Sequence, residues 1–314
     1  MNSEFPHDPR SRVVHRSGEI LVTGATGLLG RHVCALLGEA GRRHRALVRV
    51  TSDRDVLAGT SAWMTEGDVT RIESLKRPME NVETVVHLAG VVRNKDPALN
   101  ESVHVTGTRN VLAAARAAGV TRIVAVSSDT VLRSRRGIYA ETKRKAEALL
   151  RAAEGLEVVV LRPPMMLGPG SPHVDSLRKA ARLPVLPMPG GTAPRRPVAV
   201  QDVAAAVVRA VDLDGERLPI EPIDLPGAEA VSFGALVGLV ARATGRRAPV
   251  PVPIPQPALR RTARLAERLL KDPPLTVERL EGMAEEPAVD GRLARELLDW
   301  NPRSAADAVR AALP

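Results

Sequence analysis

Cysteine and aromatic residues are almost missing from this chain. Its 314 residues include one cysteine, Cys34, and five aromatic side chains: Phe5, Trp63, Tyr139, Phe233 and Trp300. A single cysteine excludes a disulfide framework and fits a reducing cytoplasm, and its setting in the helical-looking HVCALL places it in a core. No apolar run approaches the roughly 20 residues that cross a bilayer. The polar start MNSEFPHDPRSRVVHRSGE lacks the apolar centre of a signal peptide, so a cytoplasmic location with no membrane partner is expected. His32, His44 and His173 show no metal-ligand spacing, which excludes a zinc alcohol dehydrogenase and leaves no metal site expected. Lysine is scarce as well: six lysines accompany 39 arginines, and the net charge is +9. Those arginines are scattered among Ala, Val, Leu and Pro and lack aromatic partners for base stacking, so no nucleic-acid partner is expected. The scatter fits a compositional bias, and an anionic ligand is the other use for it.

From Gly18 to about residue 161, short apolar runs alternate with helical stretches. The runs EILVTG, HRALVR, TVVHLAG, RIVAVSS and LEVVVLRP are rich in β-branched residues. Between them lie LLGRHVCALLGEAG and ALNESVHVTGTRNVLAAARAAG, with Gly41 and Gly119 just past the helical patterns, where a left-handed cap is wanted. Continuous apolar strands separated by helices indicate a parallel sheet covered on both faces. The expected fold is α/β, a Rossmann-type doubly wound sheet over residues 18–161, after a disordered tail over 1–17. Residues 162–314 are proline-rich and read as a small substrate lobe, with about 195–212 returning to the first domain.

Three motifs carry chemistry. Thr23-Gly24-Ala25-Thr26-Gly27-Leu28-Leu29-Gly30 follows a strand and opens a helix. Its glycines allow a tight turn, close approach of a pyrophosphate and close helix–strand packing, and the helix N-terminus favours phosphate. The second strand ends at Arg49, followed by Thr51, Ser52 and Arg54, where an NAD site would place an acid. A cation with hydroxyls suits a ribose 2′-phosphate, so NADP is expected over NAD. Tyr139 and Lys143 are four apart in a helical stretch, eleven residues after Ser128, and so share one helix face. Free tyrosine titrates near pH 10. A neighbouring ammonium is expected to pull it toward the working range of general acid–base catalysis, while Ser128 hydrogen-bonds the substrate oxygen.

TGATGLLG, GDVT at 67–70, HLAG at 87–90, the paired serines and YAETK together resemble the short-chain dehydrogenase/reductase superfamily, in its extended, epimerase/dehydratase-like branch. HVTGTRNVLAAARAAGV, LRPPMMLGPGSP, RRPVAVQDVAAAVVRA and LARELLDWNPR add to the resemblance, which covers about residues 18–305. It implies an NAD(P) cofactor held by Gly24, Thr26, Gly27, Leu28, Leu29, Gly30, Asp68, Val69, Leu88, Ala89, Gly90, Lys143 and Pro163, with Arg49 and Arg54 added from the motif above. It implies Tyr139 as acid–base, Lys143 on the nicotinamide ribose, Ser128 orienting the carbonyl, and substrate contacts from Asp129, Thr130 and Arg195. A homodimer through the helices around 98–119 and 139–154 follows from the same resemblance.

Two departures matter. His104 stands where the family has an Asn that supports a water relay to the lysine, and Ser128-Asp129-Thr130 lacks the second acid of the dehydratases. The expected function is NADPH-dependent reduction of a small-molecule ketone, with the Pro-, Ala- and Leu-rich lobe forming an apolar pocket suited to ketones of antibiotic or polyketide type. The alternatives are a nucleotide-sugar epimerase with tightly held NAD(P), and a non-catalytic NADP-binding sensor or scaffold.

Overall fold

The computed structural model describes residues 17–313 apart from positions 93, 191, 271–275, 278, 279, 281 and 283, so the expected tail lies, but for Ser17, outside the described residues. Seven parallel strands form the central sheet: β1 (Glu19–Thr23), β2 (His44–Val48), β3 (Trp63–Glu66), β4 (Val82–His87), β5 (Arg122–Val126), β6 (Glu157–Arg162) and β10 (Ile223–Asp224). Their order across the sheet is β3-β2-β1-β4-β5-β6-β10. This is the doubly wound order, whose direction reverses beside β1 and places a ligand crevice at the strand C-termini there.

The apolar runs form strands because both faces are covered. On one face α1 (Leu28–Glu39) and α7 (Val200–Val211) pack Val33, Cys34, Leu37, Val203 and Val207 against Val22, Val86 and Val124. On the other face α4 (Gly107–Ala117) and α5 (Ile138–Arg151) cover Val85, Ile123 and Val160. Gly41 and Gly119, at φ +65° and +74°, take the left-handed conformation that follows a helix end.

The stretch 98–119 departs from the single helix expected of it. It runs from α3 (Pro97–Asn100) through a π turn (Glu101–Thr106) into α4. The wide turn buries Val103, His104 and Val105 in succession, which an α-helical face of 3.6-residue period does not do.

Beyond β6, the short strands β7 (Met166–Leu167) and β9 (Val198–Ala199) pair, as do β8 (Val185–Pro189) and β11 (Val250–Ile254). With α6 (Pro172–Ala180), α8 (Phe233–Ala243) and the terminal helix α11 (Ala305–Ala312) they enclose a third core around Leu167, Leu177, Leu236 and Val309. Two further helices are α9 (Gln256–Leu269) and α10 (Arg292–Leu298). Ala294 and Leu298 of α10, with the nearby Trp300, belong to the same core as α1 and α7. No helix among the described residues is long and apolar enough to cross a membrane.

Candidate active site

The glycine turn is built for close approach. Gly24 sits at φ +67°, and a Cβ there would lie 2.7 Å from the amide nitrogen of Ala89. A Cβ on Gly30 would lie 2.2 Å from the Gly24 carbonyl oxygen, so α1 can start against this turn only with glycine at 30. Gly27 caps α1 in extended conformation and is exposed, leaving the first amides of α1 facing outward. A side-chain-free cradle at the head of a helix fits a dinucleotide pyrophosphate. Thr26, Leu28 and Leu29 flank this turn.

The neighbouring cofactor candidates close the crevice. Leu88 and Ala89 bond back to the carbonyl and hydroxyl of Thr23, at 3.2 Å each. Asp68 accepts from both the amide and the hydroxyl of Thr70 through one carboxylate oxygen. Val69 lies against Gly107, and the Pro163 carbonyl accepts from the Asp129 amide. Arg49 is exposed just past β2. Arg54 differs from its expected part: its guanidinium meets Glu66 at 3.3 Å, a pair exposed on both sides.

Ser128 and Tyr139 meet beyond the C-terminal end of β5. The Ser128 hydroxyl lies beside the Tyr139 phenol and favours its ionised form. Thr130 donates its amide (3.3 Å) and hydroxyl (3.0 Å) to the Ser128 oxygen, and the serine hydroxyl in turn donates to the Asp129 carboxylate at 3.4 Å. Lys143 donates to the Val126 carbonyl at 2.8 Å, and a Cβ on Gly90 would stand 3.8 Å from its Nζ. Phenol, ammonium and serine hydroxyl therefore line one crevice wall.

The electrostatics correct one expectation. Burial pushes the Tyr139 phenol up to about 12, with the Ser128 hydrogen bond opposing it; the Lys143 ammonium, turned to a carbonyl, does not pull it down. Burial lowers Lys143 itself to about 8. Asp129, buried beside Ser128, is pushed up to about 6 by desolvation against the pull of Arg133 and Arg195.

His104 resolves by counting donors. The Val91 amide donates to its Nε2 at 3.1 Å, so that nitrogen carries no proton. Nδ1 then donates to the Thr142 hydroxyl at 2.8 Å, and Thr142 passes its own proton to the Ile138 carbonyl. The ring stacks edge-on against Tyr139, with centroids 5.5 Å apart. Burial, reinforced by Lys143, drops its pKa to about 3. His104 is thus a neutral pin between the loop after β4 and the helix of Tyr139, with both nitrogens committed. His87, buried between Thr23 and Thr108, is likewise lowered to about 3 by burial.

On the substrate side, a cleft of about 240 Å³ beside Tyr139 is lined by Thr130, Arg133, Arg135, Arg136 and Gly282, a cationic wall drawn mainly from the Ser128–Tyr139 stretch and not from the lobe whose composition suggested an apolar pocket. The signal was present as Arg133-Ser134-Arg135-Arg136 between Ser128 and Tyr139. Arg195 does not point a free guanidinium at substrate: it donates to the main-chain carbonyls of Gly282 and Glu285. Glu285 in turn accepts from the Ser134 amide and hydroxyl at 2.7 and 2.8 Å, which ties it to the loop that lines the cleft. Among the described residues no group of three acids, histidines or cysteines could hold a metal ion.

A doubly wound sheet with a phosphate-ready glycine turn and a Ser–Tyr–Lys crevice defines a fold and crevice of the short-chain dehydrogenase/reductase type. The chain belongs to the NAD dependent epimerase/dehydratase family, whose pattern residues 20–219 match. It is similar to the ceramide reductase of Caulobacter vibrioides, 35% identical over 61% of this chain and 60% of that one. The sterol demethylase protein B of Methylococcus capsulatus is 34% identical over 48% and 52%. The chain therefore spans about half to three-fifths of the length of these curated relatives. Among solved structures, gox2253 superposes with a TM-score of 0.79 at 30% identity, covering 94% of this chain and 96% of that one.

Proposed function

We propose that the chain reduces a ketone to a secondary alcohol at the expense of NADPH, in the cytoplasm, with Tyr139 as general acid. The observation that carries this is the convergence of Tyr139, Lys143 and Ser128 at the C-terminal end of β5, where the phenol, which burial pushes up to about 12, stands as the proton donor that a reduction consumes. Bound NADPH supplies the hydride. Tyr139 gives its proton to the carbonyl oxygen, and Ser128 donates to the same oxygen as charge develops there. Lys143, held by the Val126 carbonyl, presents its ammonium to the nicotinamide ribose. Gly24, Gly27 and Gly30 take the pyrophosphate. Arg49 takes the 2′-phosphate, joined by Arg54 once its exposed and weak pairing with Glu66 gives way. Similarity to a ceramide reductase supports a lipid-like ketone, and the cleft arginines support a polar or anionic group close to the reacting carbonyl.

The test is NADPH oxidation with a panel of long-chain ketones. Tyr139→Phe is expected to abolish turnover while NADPH still binds, and a variant of unchanged rate would sink the mechanism. The arginine-lined cleft also favours a second reading, epimerisation of a nucleotide sugar. Interconversion of a UDP-sugar with no net change in cofactor absorbance would select it.

A further inference from the structure

Seven of the fourteen large apolar side chains exposed among the described residues lie in two stretches of the substrate lobe, Leu183 and Val185 in one, Val250, Val252, Leu265, Leu269 and Leu270 in the other. The first group forms a face by register. Val250 stands opposite Val185, and Val252 opposite Pro187, in the parallel β8–β11 ribbon. Opposed residues point to the same side, so these four side chains make one outward apolar surface, while Leu186 between them points into the core.

The ribbon runs through Pro255 directly into α9, which is tied back to it by Gln256 donating to the Gly190 carbonyl at 2.9 Å. Of the 14 residues of α9 only Ala263 is buried. Ala258, Leu265 and Leu269 fall on one flank of the helix and Arg261, Arg264 and Arg268 on the adjoining one, roughly a quarter turn away, all exposed. Leu265 is 56% exposed and Leu269 73%. A helix this short is marginal in water unless its apolar stripe is covered.

We propose that this face lies on an anionic lipid surface, with Leu265, Leu269 and Leu270 at the acyl boundary and Arg261, Arg264 and Arg268 on headgroup phosphates. Charge complementarity sets the occupant: the exposed cations flank an aliphatic stripe, the pattern of an in-plane interfacial helix. A protein partner would be anchored by aromatic side chains, and neither α9 nor the ribbon face holds any. No helix among the described residues is long and apolar enough to cross a bilayer, so the contact proposed here runs along its surface. This face does not depend on the ketone chemistry.

Co-sedimentation of the full chain with phosphatidylglycerol/phosphatidylcholine vesicles tests it. Binding is expected at low salt, weakened at high salt and absent on pure phosphatidylcholine. At roughly fivefold per cation, the variant R261E/R264E/R268E loses on the order of 100-fold in partitioning. Leu265→Ser with Leu269→Ser loses roughly tenfold or more. Both variants keep the wild-type far-UV circular dichroism spectrum. Failure of the wild type to bind phosphatidylglycerol vesicles overturns the proposal, as does unchanged binding by the arginine variant. So does a vesicle-free dimer that the leucine variant abolishes, since a second copy would then cover the face.

Discussion

Tyr139 and Lys143 are displaced by burial in opposite senses, and each displacement has a consequence that can be titrated. Burial disfavours the charged form of either group, so the phenol goes up to about 12 and the ammonium comes down to about 8. Below about pH 8 Lys143 carries the charge that the proposed reduction uses on the nicotinamide ribose; above it the charge is lost. The expected outcome is a kcat/KM for ketone reduction that falls as pH rises through about 8. Lys143→Arg keeps a cation at every accessible pH and moves that fall upward, even at a reduced plateau. A profile identical in both enzymes would mean that another group sets the limb. His104 makes a second prediction at this scale. Its neutral Nδ1–H form is fixed by Val91 and Thr142, so nitrogen-15 spectra should show no protonation of this ring at pH 5, where free histidine is charged. His104→Ala leaves the Val91 amide and the Thr142 hydroxyl without this partner and should cost about 1–3 kcal/mol in urea unfolding.

At the scale of elements, the β1–α1 turn and α5 show what could and could not be read beforehand. The glycines of TGATGLLG were legible because only a strand followed by a tight turn and a helix demands that spacing. Their unequal weights were not, because they depend on how closely α1 seats on the turn. A Cβ on Gly27 would meet one atom, the Gly24 carbonyl oxygen, at 3.1 Å; one on Gly30 would press on that oxygen at 2.2 Å and on Ala25 Cα at 2.6 Å. Gly27→Ala should therefore fold almost normally and bind NADPH less tightly. Gly30→Ala should lose about 3 kcal/mol of stability, the upper end of overpacking costs. Equal midpoints in urea would contradict this ordering. Tyr139 was legible as the only tyrosine on a helix after a serine-ended strand, yet its protonation state was not, since depth of burial leaves no local trace in sequence. The arginine wall was missed for a related reason: in a chain with 39 arginines, any three of them carry no signal until folding brings them beside the phenol. Arg195 shows the converse, a residue with a motif-like position whose two terminal nitrogens bond to the main-chain carbonyls of Gly282 and Glu285.

Across the whole molecule, the two halves divided by composition share interior. Val203, Ala206 and Val207 of α7 lie in one cluster with Val33, Cys34 and Leu37 of α1, and Ala294, Leu298 and Trp300 join the same cluster from near the C-terminus. Trp300 further donates its indole nitrogen to the Pro226 carbonyl at 2.8 Å. Arg122, fully buried at the start of β5, donates to the Val211 carbonyl at 2.8 Å and to the Leu213 carbonyl, holding the end of α7, and pairs with Glu157. A core threaded by both halves has no boundary along which one half could unfold and leave the other intact, so unfolding should be a single cooperative event. The scarcity of aromatics makes this measurable. The chain has two tryptophans, Trp63 at 73% exposed on the edge strand β3 and Trp300 at 6% in the shared core. In a Trp63→Phe variant, fluorescence reports Trp300 alone and should start blue-shifted and move to the red in one urea transition. That transition should coincide with the loss of far-UV circular dichroism, and saturating NADPH should raise both midpoints together, because ligand bound to the native state stabilises the whole cooperative unit. A Trp300 transition that precedes the loss of secondary structure, or one that NADPH leaves in place, would show that the C-terminal part unfolds as a separate unit.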